Sequence, residues 1–521
     1  MTHRFTRRSL LGTLAAGSGL LAAPAILRAQ QLFVADPFSL GVAAGDPVAD
    51  GFVIWTRLCP DPMDAHGGMP MAPVAVDWEV ASDMAMRDIV AKGTELARPE
   101  LAHSVHVEVA GLKPARPYWY RFRVGAEKSM RGQAMTLPLP GAAVDRVRFA
   151  VAGCQHYQEG YYTAFRHLAD EDAAFVFHYG DYIYEDRGNG MKYDYDGSER
   201  HFVRRHWGQA TFTLDDYRRR YTQTKLDTDL QDAHAAAAWF VTPDDHEVED
   251  NWVGLDSKYK VPPEVFALRR AAAFQAFYEH MPLRKSAFPG ASGMQVYRRA
   301  LYGNLLDLHF LDTRQFRSDQ PCGDGFVAVC AGVGDVKAQV LGAAQEAWLD
   351  GNLRQKAGRW NAIAQQVMMM PLDRRLGEQP VETRNMDSWG GYDAPRERLL
   401  SRFAGLGNVV VLTGDEHQNF AGELRRGKGE GDAVAVEFVA TSITSGGDGA
   451  DKRAGAERVK ARNPFLKYSG DRRGYLMCDV TPADWQTQCR TVPMITQPGA
   501  PISTAATITV EHGRPALNIA S

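Results

Sequence analysis

Beyond its first 30 residues this 521-residue chain has no long uninterrupted apolar run, so it offers no transmembrane helix and is expected to be soluble. It has no excess of one charge either. Lys and Arg number 59 against 63 Asp and Glu, a formal −4, and no basic run marks the chain for nucleic acid. Six cysteines are compatible with an oxidising compartment but too sparse for a disulfide scaffold. No internal repeat or low-complexity tract stands out, which excludes solenoids and long linkers. What remains, 45% hydrophobic, 10% aromatic and 23% charged, is ordinary globular composition, and the length calls for two domains.

The N-terminus carries an address. Arg4, Arg7 and Arg8 precede an apolar, small-residue stretch from Leu10 to Ile26, with Ala29 as a cleavage position. Thr6-Arg7-Arg8-Ser9-Leu10-Leu11 matches a twin-arginine export signal, so residues 1–29 are read as a signal peptide for that machinery. A Sec signal or an uncut membrane anchor are the alternatives. Loss of residues 1–29 removes four Arg and no acid, leaving −8. The mature chain is read as a periplasmic or secreted monomer.

Residues 30–140 read as short strands between turns, a fibronectin- or immunoglobulin-like β-sandwich. Gly51–Arg57, Val74–Val80, His103–Val109 and Tyr118–Gly125 are its strands, and Gly111-Leu112-Lys113-Pro114 before Tyr118 resembles a tyrosine corner. From Asp145 to Ser521 apolar strands alternate with helical stretches, the pattern of an α/β layered domain. Strands are expected at Arg146–Ala152, Ala173–Tyr179, Ala237–Val241 and Asn408–Leu412, with Leu305–Leu311 and Asn361–Met370 in the same sheet. Cys322 and Cys330 face each other across a Gly-rich loop and should form a local bridge. Cys478 and Cys489 are placed to join adjacent strands, and Cys59 has no evident partner.

The chemistry sits at strand ends. Four apolar strands break off into Gly153-Cys154-Gln155, Gly180-Asp181-Tyr182-Ile183-Tyr184, Asp244-Asp245-His246-Glu247 and Gly414-Asp415-Glu416-His417. A single strand ending in Gly-Asp is only a turn signal. Four such ends rich in Asp, His, Cys and Tyr point to the ligand-binding edge of an α/β sheet. Each residue has a bland reading too. Cys154 has that of a core thiol, and Tyr184 that of loop packing. Asp244 and Glu247 read better as supporting carboxylates than as direct ligands. Arg314 admits either a bidentate phosphate contact or a salt bridge to Asp312 or another core acid. The Arg218–Arg220 run reads as a solvated helix face, and Met191–Gly197 as an insertion loop. Met368–Met370 reads as strand core, and His156, His178, His201, His206 and His234 carry no assignment.

In these motifs the chain resembles the PhoD-type alkaline phosphatases, relatives of the purple acid phosphatases in the metallophosphoesterase superfamily. Gly180-Asp181-Tyr182-Ile183-Tyr184 is similar to the superfamily's GDxxY element, and Asp244–Glu247 and Gly414–His417 stand where it has Asn-His-Glu/Asp and Gly-His-x-His. Cys154 in place of the first Asp is typical of the PhoD variant. Asp312–Gln315 and Asn463-Pro464 to Tyr475 extend the likeness. The resemblance implies a ferric ion held by Cys154, Asp181, Tyr184 and His417, with Asp181 bridging to a calcium bound also by Asp245 and Asp415. Donor chemistry agrees: thiolate, phenolate and imidazole suit a transition metal, and carboxylates suit calcium. A second calcium near Glu249 or Asn251 is left unassigned.

The expected activity is hydrolysis of phosphate monoesters by a metal-activated hydroxide, with Asp181, His246 and Arg314 as catalytic residues. His246 is expected to contact phosphate or protonate the leaving oxygen. Phosphodiesterase or phospholipase D activity on the same fold is the nearest alternative, and a non-catalytic secreted binding protein the more distant one. Twin-arginine export carries folded proteins, which suits an enzyme loaded with metal before it leaves the cytoplasm.

Overall fold

A computed structural model describes residue 33 and residues 35–186, 192–193, 199–200, 202–375, 377–427, 429 and 431–520. The signal segment and most of the Met191–Gly197 loop lie outside these residues.

Side-chain alternation along the strands sets the architecture. Phe149 and Val151 alternate with Ala150 and Ala152, and Phe175 and Phe177 with Val176, so each strand offers two apolar faces that must both be covered. The inner faces of two sheets meet in one core: Phe149, Phe177 and Phe240 of the first pack with Leu306, Phe310 and Leu412 of the second. Helices Leu214–Lys225, Thr228–Ala236 and Pro263–His280 cover the outside of the first sheet. Helices Gly342–Leu353 and Asp393–Phe403 cover the outside of the second. The result is a four-layered α/β/β/α sandwich.

One expectation is corrected here. The strands ending in Cys154, Asp181 and Asp245 share a ten-stranded sheet. The strands Leu306–Phe310, Trp360–Ala364 and Val409–Thr413 belong instead to a separate seven-stranded sheet stacked on it. The stretch expected at Asn361–Met370 is also shorter, because Gln365–Met370 leaves the ladder: Met369 and Met370 donate their N–H groups to the buried Glu437 carboxylate. The three Met side chains are core, but in a loop.

The N-terminal β domain is a two-layered sandwich around Phe52, Val76, Val107, Tyr120 and Phe122. Its tyrosine corner is present, the Tyr118 hydroxyl accepting from the Lys113 N–H at 2.9 Å. One of its layers is also part of the large sheet: Val42–Val48 pairs in parallel with Ala238–Val241 and passes on to Gly51–Arg57 and Ser104–Val109. Cys322 and Cys330 are bridged, with Cα atoms 5.7 Å apart. Cys478 and Cys489 are not. They do lie on adjacent antiparallel strands, but Cys478 stands opposite Thr487 and Cys489 opposite Leu476, so both are buried free thiols, as is Cys59. Among the described residues no helix is long and apolar enough to cross a membrane.

Candidate metal centre

Three of the four strand ends place a glycine immediately before the residue of interest, and the packing shows why. A Cβ on Gly153 or Gly414 would sit 2.4 or 2.1 Å from the ring of Tyr179. That ring lies between the two sheets and donates its hydroxyl to the Thr441 carbonyl. A Cβ on Gly180 would lie 2.5 Å from the backbone nitrogen of Asp244. Glycine at these positions lets turns from different strands approach one another. The residues that follow carry the strain. Cys154, Asp181, Asp415 and His417 all have positive φ, from 50° to 66°. Such backbone costs about 1 kcal/mol or more per residue and is found where surrounding contacts fix it for function.

Those contacts are backbone bonds between the turns. Cys154 N–H donates to the Gly180 carbonyl and Gln155 N–H to that of Asp181, both at 3.0 Å. The Glu247 carboxylate, fully buried, accepts from the N–H groups of Asp181, Tyr182 and Asp244 at 3.1, 2.5 and 2.8 Å. Glu247 thus acts as the supporting carboxylate its position implied.

The side chains then meet. Cys154 Sγ lies 3.2 Å and the Tyr184 hydroxyl 2.9 Å from Asp181 Oδ2, and that hydroxyl is 3.4 Å from His417 Nε2. Cys154, Asp181 and His417 bring donor atoms within 4.8 Å of one another, as do Asp181, Asp244, Asp245 and Asp415, and Asp181, Asp245 and His246. Asp181 is common to all three groups. Every expected metal ligand therefore falls in one nest, joined by one not foreseen as a direct contributor, Asp244.

Electrostatics says that this nest is short of positive charge. Burial, then Asp245, pushes Asp181 well above the carboxylate range, and burial with Asp244 and Asp245 does the same to Asp415. Asp244 is pushed up to about 6 by burial despite its contact with Arg314. Asp245 goes the other way: burial would raise it, but Arg314 and His246 hold it low. Burial and Asp181 raise both the Cys154 thiol and the Tyr184 phenol. Among the described residues, Asp181 Oδ1 and Asp244 Oδ2 are buried and accept no hydrogen bond, an arrangement that costs free energy unless something cationic is bound. Clustered carboxylates, a thiol, a phenol and an imidazole fit a pair of cations, one of them a transition metal.

Two expected catalytic residues stand differently from each other. His246 presents Nε2 to Asp245 at 4.0 Å, while its Nδ1 is bonded to Glu185 at 2.7 Å. Burial opposes its protonation, but Asp245, Glu185 and Asp181 raise its pKa well above the usual value. Arg314 does not present itself to a substrate. It is 2% exposed; Nε binds Asp244 at 2.6 Å, Nη1 grips both oxygens of Asp387, and Nη2 lies 3.4 Å from Asp245. Of its two readings, the geometry favours the core salt bridge, though to Asp244 and Asp387; Asp312 takes only the Arg314 backbone N–H.

The Arg218–Arg220 reading is also corrected. Arg218 is buried in an ion pair with Glu279, and Arg220, 1% exposed, donates to the carbonyls of Tyr184 and Asp186. Arg220 braces the Tyr184 turn. Ser445, 2.6 Å from the Tyr184 hydroxyl, and Arg473, which donates to the His417 carbonyl, were likewise not foreseen. Only the Asn463–Tyr475 stretch had signalled Arg473. Glu249 is taken by Arg269 and Ser257, and the Asn251 N–H by Asp245.

Known proteins share this fold. The PhoD-like phosphatase family matches residues 149–489, and its N-terminal domain family matches residues 22–138. Alkaline phosphatase D of Bacillus subtilis (strain 168) is 47% identical over 489 residues, covering 93% of this chain and 82% of the relative. A solved structure of PhoD superposes with a TM-score of 0.89 at 46% identity, covering 94% of this chain and 93% of that one. A purple acid phosphatase, PPD1 from yellow lupin (Lupinus luteus) seeds, shares the fold at a TM-score of 0.52 and 12% identity, over 90% of this chain and 74% of that one. The chain, an N-terminal β domain joined to a metallophosphoesterase-type α/β sandwich, belongs to the PhoD-like phosphatase family.

Proposed function

We propose that this protein is an exported, metal-dependent phosphoesterase that hydrolyses phosphate monoesters, with diesters as a second substrate class. One observation carries the reading: turns from two stacked sheets deliver Cys154, Asp181, Asp244, Asp245, Asp415 and His417 into overlapping groups whose donor atoms lie within 4.8 Å. Cys154, Asp181, Tyr184 and His417 would hold a ferric ion; Asp181, Asp245 and Asp415 would hold calcium, with the free oxygen of Asp244 beside them. Bound there, the two ions supply Lewis-acid charge for the phosphoryl oxygens and lower the pKa of water.

The chain's own groups do the rest. Asp181 reaches both halves of the nest and fixes their spacing. Glu185 holds His246 through Nδ1, leaving Nε2 directed at the site to carry a proton to the departing alcohol oxygen. Glu185 is itself fixed by the Asp250 N–H at 2.8 Å. Arg314 holds Asp244 and offsets carboxylate charge without touching substrate. The paired arginines Arg7 and Arg8 support export through the twin-arginine route.

The test is turnover of a panel of mono- and diesters by chelated protein restored with iron, calcium or both. Full activity is expected only with both ions, and monoesters should be turned over faster. Full activity in the chelated protein would overturn the proposal. Export is tested apart from this: Arg7→Lys with Arg8→Lys should retain the precursor in the cytoplasm.

A further inference from the structure

A fifth strand end reaches the nest without supplying an expected metal ligand. Ala433–Val439 pairs in parallel with Val409–Thr413, so its carboxyl end emerges at the same sheet edge as Asp415 and His417. The segment that follows, Thr441-Ser442-Ile443-Thr444-Ser445-Gly446-Gly447, is stitched to the Cys154 turn. Ile443 N–H donates to the Gly153 carbonyl at 3.0 Å, and the N–H groups of Thr444 and Ser445 both donate to that of Cys154 at 3.3 Å. Gly446 N–H donates to Glu159 at 2.6 Å, and the Ser442 hydroxyl donates to the Ser445 carbonyl. Ser445 is held there fully buried, with Oγ 2.6 Å from the Tyr184 hydroxyl and 2.9 Å from the Cys154 carbonyl.

The Tyr184 ring is as closely kept, with the imidazoles of His156 and His246 at 4.2 and 4.1 Å from its centre. Among the described residues three polar atoms surround its oxygen: Asp181 Oδ2 at 2.9 Å, His417 Nε2 at 3.4 Å and Ser445 Oγ at 2.6 Å. As a neutral phenol Tyr184 can donate to any of them. As a metal ligand it has lost its proton, and a phenolate only accepts. The Asp181 carboxylate is then an acceptor too, and the His417 nitrogen facing the cluster would hold the same cation. Ser445 is the one of the three with a proton left to give. Its hydroxyl can turn from the Cys154 carbonyl to the phenolate, because that carbonyl keeps two backbone N–H donors.

We propose that Ser445 is a positioning residue for the metal-binding form of Tyr184: its hydroxyl donates to the phenolate oxygen, fixes the direction in which that oxygen meets the iron, and draws negative charge away from it. This rests on the iron reading above. A hydrogen bond to a charged oxygen is stronger than one between neutral groups, so the Ser445 bond strengthens as the metal enters. It leaves the phenolate a weaker electron donor and the iron a stronger Lewis acid.

The visible spectrum and iron affinity of full-length Ser445→Ala test this without turnover. Loss of the donor raises the energy of the phenolate's filled orbital, so the charge-transfer band should move to longer wavelength while iron stays bound. Iron affinity, measured by competition with a chelator, should fall about tenfold. Because Oγ also reaches the Cys154 carbonyl, the same substitution made in Tyr184→Phe separates the two contacts. In that background it should change iron affinity by less than about twofold. A band that stays in place in Ser445→Ala, or a tenfold loss of affinity that persists in Tyr184→Phe, would overturn the assignment and leave the iron centre standing. A wild type that takes up no iron, or takes it up without a tyrosinate band, would sink the iron reading and the role of Ser445 with it.

Discussion

Asp181 is the residue on which both halves of the nest depend, because it alone belongs to all three ligand groups. Asp181→Asn should lower ester turnover by at least roughly a thousandfold in a folded protein; near-normal turnover would refute the site. Arg314 invites a different result. Arg314→Met leaves Asp244 buried without its cation, while Asp387 keeps Arg317, and should lower unfolding free energy by about 3–5 kcal/mol, read from urea denaturation. A phosphate-binding role would instead raise KM at unchanged stability. The ligands themselves were legible because their residue types are rare together at strand ends. The partners of Arg314 and Arg220 were not legible in the same way, since Asp387 and Tyr184 lie 73 and 36 residues away and are chosen by the fold.

A third residue couples the scaffold to pH. Burial depresses Lys225 from 10.5 to about 7, its ammonium stacked 4.3 Å from the centre of Trp55. Between pH 7 and pH 10.5 the unfolded chain holds a proton that the native state has released, so native stability rises with pH across that window. Compared with Lys225→Met, the wild type should gain on the order of a few kcal/mol of unfolding free energy from pH 7 to pH 10. A constant difference between the two proteins would show that the lysine is not buried as described.

At the scale of elements, the glycines that end the strands are as telling as the ligands. Gly414→Ala drives a Cβ to 2.1 Å from the Tyr179 ring. It should cost about 1–3 kcal/mol by thermal or urea unfolding and weaken iron binding with it. Their sequence signal was clear, a Gly before Cys154, Asp181 and Asp415, but the reason for it was not, since Tyr179 reaches across two sheets. The same limit explains the sheet assignment. A buried parallel strand such as Val409–Thr413 is apolar on both faces, so its pattern gives the strand but not the sheet that contains it. Only pairing, Val409 with Asn361 and Phe310 with Ala364, assigns it. The half-buried sandwich strand Pro117–Val124 keeps a cleaner alternation, while Gly51–Arg57, buried along its whole length, was read to the residue from its flanking turns.

Across the whole molecule, the sandwich and the α/β domain are continuous through the pairing of Ala44 and Gly45 with Ala238 and Trp239. Composition shifts near residue 140 marked a boundary in the sequence, yet no local signal announces a strand that leaves its own sandwich to join another sheet. Residues 145–521 expressed alone would expose the Ala238–Val241 strand as an unpaired, fully buried-type edge. That fragment should be recovered mainly as aggregate by size-exclusion chromatography; a stable, active monomer would show that the continuity is dispensable.

The visible absorption spectrum of iron-loaded protein beside that of Tyr184→Phe tests most directly whether separated turns meet at one iron. A tyrosinate on ferric iron gives a charge-transfer band, so the loaded wild type should be coloured and the variant bleached while it keeps bound iron. A colourless wild type that takes up no iron, or a band that survives intact in Tyr184→Phe, would contradict the account.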